Sequence, residues 1–267
     1  MLHTVDQGAG TPVVLLHAYP CDHTLFDAQA AALVAAGYRV IRPDLPGFGG
    51  SALPASGEHR MAAMADGVLA DLDARGIDTF VLGGLSMGGY AAMQILRQQP
   101  ERVAALALLD TKATPDGAEA RAVREETAKR ALAAGSLEPL ADGMLQGLLG
   151  TTTRQQRPDV VERTRGWIRR ARAESAAWAM RTMADRPDSL PALAQYPRPA
   201  LVVAGTEDAL SPLSEHELMA DALDAGRMVT IEACGHLSAV EQPAQVSDAL
   251  LAFLDDAGGP ASRAPSH

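Results

Sequence analysis

The chain has 267 residues, of which 47% are hydrophobic and 21% charged, and its formal net charge is −10. An acidic surplus of this size argues against nucleic acid or an anionic membrane surface as a partner. The longest apolar stretches, such as 103–109, are far too short to span a bilayer.

In chain order, residues 2–5 read as a short edge strand, 13–16 as a central strand, 25–36 as a helix and 38–42 as the next strand. A helix follows over 61–75, then a β-branched and apolar strand over 79–82 and a helix rich in Ala, Met and Leu over 90–96. A further strand is predicted at 102–109. Beyond residue 111 the strand pattern stops, and helices are predicted at 118–134, 137–149, 158–172 and 173–184. A buried-strand pattern returns at 200–204, followed by a helix at 215–223, a strand at 227–231 and an amphipathic helix at 244–254. This alternation is the mark of an α/β fold, with a mainly parallel sheet covered on both faces. The tail from 257, small and rich in Pro and Gly, is expected to be disordered.

Gly84-Leu85-Ser86-Met87-Gly88 spells G-x-S-x-G between a predicted strand and a predicted helix. That is the setting of a nucleophile elbow, in which a strained serine tips a sharp turn and small neighbours let strand and helix close up. A serine hydroxyl is a poor nucleophile until a base takes its proton and a third group orients that base. The chain supplies both at the ends of later strands: Asp208 in Gly205-Thr206-Glu207-Asp208, and His236 after Glu232-Ala233-Cys234-Gly235. Asp110, at the end of its own strand, is the rival acid.

The order Ser86, Asp208, His236 resembles that of the α/β-hydrolase superfamily. The resemblance also rests on His17-Ala18-Tyr19-Pro20 and Asp44-Leu45-Pro46-Gly47-Phe48-Gly49. Gly84–Gly89 and His236-Leu237-(x)3-Glu241-Gln242-Pro243 look most like the 3-oxoadipate enol-lactonase and small carboxylesterase branch. It implies an α/β-hydrolase fold of about seven strands, one fewer at the N-terminal edge than in most relatives. The expected organisation is a core over 1–110 and 191–256, a helical cap over 111–190, and the tail 257–267. The backbone amides of Tyr19 and Met87 are then the expected oxyanion donors. Ala18 stands where relatives usually carry Gly, so a positive φ there would be strained.

The cap is expected to shape the substrate pocket, with Met144, Leu145, Leu148, Trp167, Trp178 and Met183 as its lining; alternatively they only pack the cap onto the core. Its second half carries Arg154, Arg157, Arg163, Arg165, Arg169, Arg170, Arg172, Arg181 and Arg186. These form either a cationic lid that draws in carboxylate-bearing substrates or a solvated face with scattered ion pairs.

Other motifs are read as structural. His17 is expected to brace its loop, and Asp44 to belong to a tight turn. Glu207 should point away from the site, and His3, His23, His59, His216 and His267 are expected at the surface. No metal-ligand spacing, phosphate cradle or dinucleotide fingerprint is present, so no cofactor and no metal are expected. Cys21 and Cys234 are too few for a disulfide framework and are read as free thiols. Residues 1–6 lack the basic start and apolar run of a secretory signal, so a cytoplasmic location is expected.

The reading is therefore a serine hydrolase that cleaves a carboxylic ester or lactone of a small, largely apolar substrate. Its partner is that small molecule, with no nucleic acid and no membrane, and a homo-oligomer is left open. Carbon–carbon bond hydrolysis and cofactor-free perhydrolysis (the haloperoxidase-like reaction) are alternatives on the same three residues. A non-catalytic ligand sensor is a third, from a different class. Leu237, where carbon–carbon hydrolases often carry Trp, speaks against the first of these.

Overall fold

The computed structural model describes residues 1–259. Strands β1 (Thr4–Gly8), β2 (Pro12–Leu16), β3 (Arg39–Pro43), β4 (Phe80–Leu85), β5 (Val103–Leu109), β6 (Ala200–Gly205) and β7 (Gly226–Ile231) form one sheet, ordered β1-β3-β2-β4-β5-β6-β7. Every pairing is parallel except β1 with β3. Burial follows position: β4 and β6 are buried throughout, whereas the edge strands β1 and β7 are largely exposed. Continuous apolar runs such as Ala200-Leu201-Val202-Val203 therefore sit where both faces are covered.

The covering helices are α1 (Asp27–Ala35), α2 (Met61–Ala74) and α3 (Met87–Gln98) in the first half of the chain. Between β5 and β6 come α4 (Ala118–Ala134), α5 (Ala141–Leu148), α6 (Thr151–Gln156), α7 (Pro158–Arg170), α8 (Ala173–Ala184) and α9 (Leu190–Ala194). The chain ends with α10 (Leu213–Ala222), α11 (Ser238–Glu241) and α12 (Pro243–Asp256). α2 packs on α3 and α1 on α12, while α4 and α8 lie against each other in the helical layer. Among the described residues, no helix is long and apolar enough to cross a membrane.

The first strand runs 4–8 rather than 2–5, and it is antiparallel to β3 from Thr4↔Pro43 to Gly8↔Arg39. Hydrophobicity does not mark Asp6 and Gln7 as strand; pairing does. Asp6 accepts from Arg39 at 2.8–2.9 Å, and Gln7 from Arg42 at 2.8 Å. The helix expected over 25–36 is divided into a 3-10 turn, His23–Phe26, and α1. The short helices α6, α9 and α11 are absent from the sequence reading, because four to six residues are too few to show a period. The disorder expected of the tail falls, from residue 260 on, outside the described residues.

Parallel strands end on a common edge, and that edge gathers the chemistry. β2 leads into His17–Tyr19, β4 into Ser86, β5 into Asp110, β6 into the loop of Asp208, and β7 into the loop of His236. Ligands of open α/β sheets bind in the crevice outside these carboxyl ends.

Candidate active site

Ser86 joins β4 to α3 with φ 53° and ψ −111°, a conformation that strains any residue with a side chain. Its surroundings fix it there. The Ser86 N–H donates to the Leu109 carbonyl at 3.0 Å, and its own carbonyl accepts from Thr111 Oγ1 at 2.9 Å. Two glycines make the turn possible. A Cβ on Gly84 would sit 2.3 Å from the Gly88 carbonyl oxygen, and one on Gly88 only 1.9 Å from that of Leu16.

The Ser86 hydroxyl lies 2.7 Å from Nε2 of His236, and Nδ1 of the same ring lies 2.8 Å from Oδ2 of Asp208. A carboxylate only accepts, so Nδ1 carries the proton and Nε2 is left free to accept from the serine. Oδ1 of Asp208 accepts from the amides of Leu210 at 2.8 Å and Ser211 at 3.0 Å, which fixes the carboxylate plane. The three residues singled out from sequence are thus a continuous hydrogen-bonded chain. All three are buried.

Burial alone would depress the His236 imidazole. The charge and hydrogen bond of Asp208, with Glu241 beyond, outweigh it and hold the ring above its ordinary value. Asp110 makes no hydrogen bond to the imidazole. Its Oδ1 accepts from the Gly205 N–H at 3.0 Å and its Oδ2 from the Ser238 N–H at 3.1 Å, tying the Asp208 and His236 loops to the end of β5. Complete burial and the charge of Asp208 push its carboxyl up to about 8. Asp110 too has a positive φ, 43°, a strain missed in the sequence reading.

Glu241, present in the sequence only as part of the motif that carries the branch resemblance, is a second buried clamp. Its carboxylate accepts from the amides of Gly235, Leu237 and Gly150, each within 3.0 Å. It thereby fixes both sides of His236 and joins them to the start of α6. Glu207 does point away from the site, accepting from Thr152 N at 2.8 Å and from its hydroxyl at 2.5 Å.

On the other side of Ser86, His17 braces its loop. Its Nδ1 lies 2.9 Å from the Ala18 carbonyl, and its Nε2 accepts from the Leu45 amide at 2.8 Å. Ala18 is not in the left-handed region, so the strain expected there is absent. The amides of Tyr19 and Met87, the latter at the N-terminus of α3, have no acceptor among the described residues. Free donors of this kind can receive an anionic oxygen.

A cavity of about 530 Å³ opens onto Ser86 and His236. Met144 of α5, Leu148 of α5 and Met183 of α8 line it, as expected. Trp167, Trp178 and Leu145 do not, and these three expectations are corrected. The Trp167 indole donates at 3.1 Å to Asp22 and Thr24, so it pins α7 to the core; Trp178 donates at 2.9 Å to the Glu58 carbonyl. Tyr19, Tyr90, Lys112, Arg124 and Leu210 also belong to the wall, and the sequence pattern does not place their side chains there. A purely apolar criterion passes over Arg124 and Lys112.

The nine arginines of the second half of the helical layer all lie off the cavity wall. Arg163 pairs with Asp27, Arg165 with Asp142, Arg169 with Glu138 and Glu162, and Arg181 with Glu125. Arg186 is buried against Asp116 at 2.7 Å. This is the ion-paired face rather than a lid of free cations.

Two groups of His and Asp converge that sequence spacing does not reveal. His3 and His23 place Nδ1 at 2.7 and 2.8 Å from the Asp44 carboxylate, which also accepts from the His23 and Gly50 amides. His216, expected at the surface, is fully buried beside Asp110 and Asp208, with Nδ1 3.2 Å from the Pro212 carbonyl. Cys21 and Cys234 are free and buried, and burial raises both thiols.

Residues 11–243 match the sequence profile of the alpha/beta hydrolase fold. The chain belongs to the α/β-hydrolase family. A thermophilic esterase from Thermogutta terrifontis superposes with a TM-score of 0.91 at 39% identity, over 96% of this chain and 93% of that one. The dihydrolipoyllysine-residue acetyltransferase component of an acetoin cleaving system from Pseudomonas putida is 31% identical over 92% of this α/β-hydrolase, which spans only 64% of that longer protein. A Mycobacterium tuberculosis protein named for non-heme bromoperoxidase activity, BpoC, is 28% identical over 93% of this chain and 95% of its own length. A 3-oxoadipate enol-lactonase from Acinetobacter baylyi is 26% identical over 81% of this chain and 79% of its own length. A 2-hydroxy-6-oxo-6-phenylhexa-2,4-dienoate hydrolase from Burkholderia cepacia is 37% identical over 40% of this chain and 39% of its own.

Proposed function

We propose that this α/β-hydrolase is a serine hydrolase that cleaves a carboxylic ester or lactone through an acyl-enzyme on Ser86. The observation that carries the reading is the unbroken line from the Ser86 hydroxyl through both ring nitrogens of His236 to Asp208, at 2.7 and 2.8 Å. As the hydroxyl attacks the carbonyl carbon, His236 Nε2 takes its proton. Asp208 holds the ring in the competent tautomer and stabilises the imidazolium. The amides of Met87 and Tyr19 receive the oxyanion; loss of one such donor typically costs ~10²–10³ in rate. The imidazolium then protonates the leaving oxygen, and the neutral ring activates water to clear the acyl-enzyme. The cavity, lined largely by apolar side chains, suits a small substrate with an apolar chain.

The test is labelling with a fluorophosphonate probe beside turnover of a short p-nitrophenyl ester. Both should occur in the native protein, and both should be lost in Ser86→Ala, with hydrolysis falling by at least ~10⁴-fold. An ester activity undiminished in that variant would overturn the assignment. Absence of labelling and turnover in the native protein would point to a ligand sensor instead.

A further inference from the structure

We infer that the cavity has an anion-accepting end formed by the Arg124 guanidinium and the Tyr19 hydroxyl, which makes esters or lactones of carboxylate-terminated acids the preferred substrates. The inference rests on the serine-hydrolase reading for its chemistry, but not for its binding site.

Arg124, on α4, is the arginine of the helical layer that reaches the cavity wall. Its donors are largely unspent. Nε pairs with Asp116, while Nη1 faces only the thioethers of Met183 at 3.5 Å and Met180 at 3.9 Å. Thioether sulfur is a weak acceptor. Nη2 has no protein partner among the described residues. The side chain is only 18% exposed, so water compensates these donors poorly.

The Tyr19 hydroxyl is the second observation. Tyr19 lines the same cavity and is 93% buried, and its hydroxyl oxygen has no hydrogen-bond partner among the described residues. Burial raises the phenol, which therefore stays a neutral donor, and it lies within electrostatic reach of Arg124. An unpartnered O–H and an unfilled guanidinium on the wall of one cavity match a carboxylate, which accepts at both oxygens.

Charge balance points the same way. Asp116 carries one negative charge, with no side-chain exposure, and is shared by Arg124 and the buried Arg186. The trio has one positive charge in excess. Lys112 on the wall adds another, and Glu119, exposed on the first turn of α4, opposes it at the mouth. A ligand carboxylate neutralises the surplus and remains a spectator while the ester bond at Ser86 is cut, so an ester gives a dicarboxylate and an alcohol and a lactone gives a single hydroxy-dicarboxylate.

Binding is measured first, by calorimetry on Ser86→Ala protein, with glutarate, adipate and pimelate against pentanoate, hexanoate and heptanoate. At one chain length or more the dicarboxylate should bind at least tenfold tighter than its monocarboxylate partner. Arg124→Gln, which keeps a donor for Asp116, should bring that ratio within twofold. Arg124→Lys should restore part of it, and Tyr19→Phe should lower it severalfold without touching the ion pairs. Ratios near one throughout, or a ratio that survives both Arg124→Gln and Tyr19→Phe, would overturn the inference. Monomethyl esters of the same diacids, against the matching methyl alkanoates, then separate the two ideas in the native enzyme. Selective binding without hydrolysis of any ester removes the serine-hydrolase reading alone. Equal kcat/KM for both ester series removes the anion end alone.

Discussion

The edge of the sheet and the helical layer above it build the two halves of one cavity, and they fix their side chains by different means. At the sheet edge, each group is held by backbone. Ser86 is locked through its amide and carbonyl, Asp208 through two amides, and the His236 loop through amides donated to Asp110 and Glu241. Backbone clamps of this kind leave a side chain little freedom and hold it within the tolerance that proton transfer demands. In the helical layer, positions are set by helix packing and by long side chains in ion pairs, several of them half exposed. The first region is built to hold atoms still. The second is built to hold shape.

That contrast is broken most severely at the sheet edge. Asp208→Asn removes the acceptor that sets the His236 tautomer, and kcat for a p-nitrophenyl ester should fall ~10⁴-fold while the fold survives. Glu241→Gln should act on both halves at once. With one of three amide donors left unmet, unfolding by urea should show a loss of about 1–3 kcal/mol. If the His236 loop shifts, kcat should fall by up to ~10²-fold.

A milder test uses pH. His236 must be neutral to act as a base, and its folded value lies above the ordinary 6.5, so kcat/KM should fall on acidification with a midpoint above 6.5. Burial and the Asp208 charge keep the Asp110 carboxyl protonated through this range, so Asp110→Asn should leave the midpoint nearly unchanged. A midpoint that drops in Asp110→Asn would show instead that Asp110 is ionised beside the ring. The smallest effect belongs to the helical surface: Arg169→Ala should change stability by no more than about 0.5 kcal/mol and leave kcat/KM unaltered.

What sequence reveals divides along the same line. Strand ends are legible because a buried parallel strand is a continuous apolar run, and the residues just past it, Ser86, Asp208 and His236, lie on one edge whatever the helices do. α4 and α8 are legible too, with the bounds predicted. Period and composition do not say what a helix face touches. Trp167 and Trp178 look like pocket lining, yet each is turned away by an indole N–H that ends on a core loop. Arg124 differs from the neighbouring arginines only in where its stem points, and no local pattern encodes that. His216 looks like a surface residue within α10, and its burial becomes apparent only once α10 is placed beside the loops of Asp110 and Asp208. The Glu241 clamp closes over six residues to Gly235 but over 91 to Gly150, a separation at which spacing conveys nothing.

The reach of that one carboxylate has a practical side. Gly150 opens the segment into α6, and its amide shares Glu241 Oε2 with the amide of Gly235, next to the imidazole. Anyone transplanting a foreign roof onto this scaffold would cut that shared anchor unless residue 150 and its approach were kept. A chimera joined inside this junction should keep His236 aligned with Ser86, whereas one joined outside it should inherit a loosened histidine.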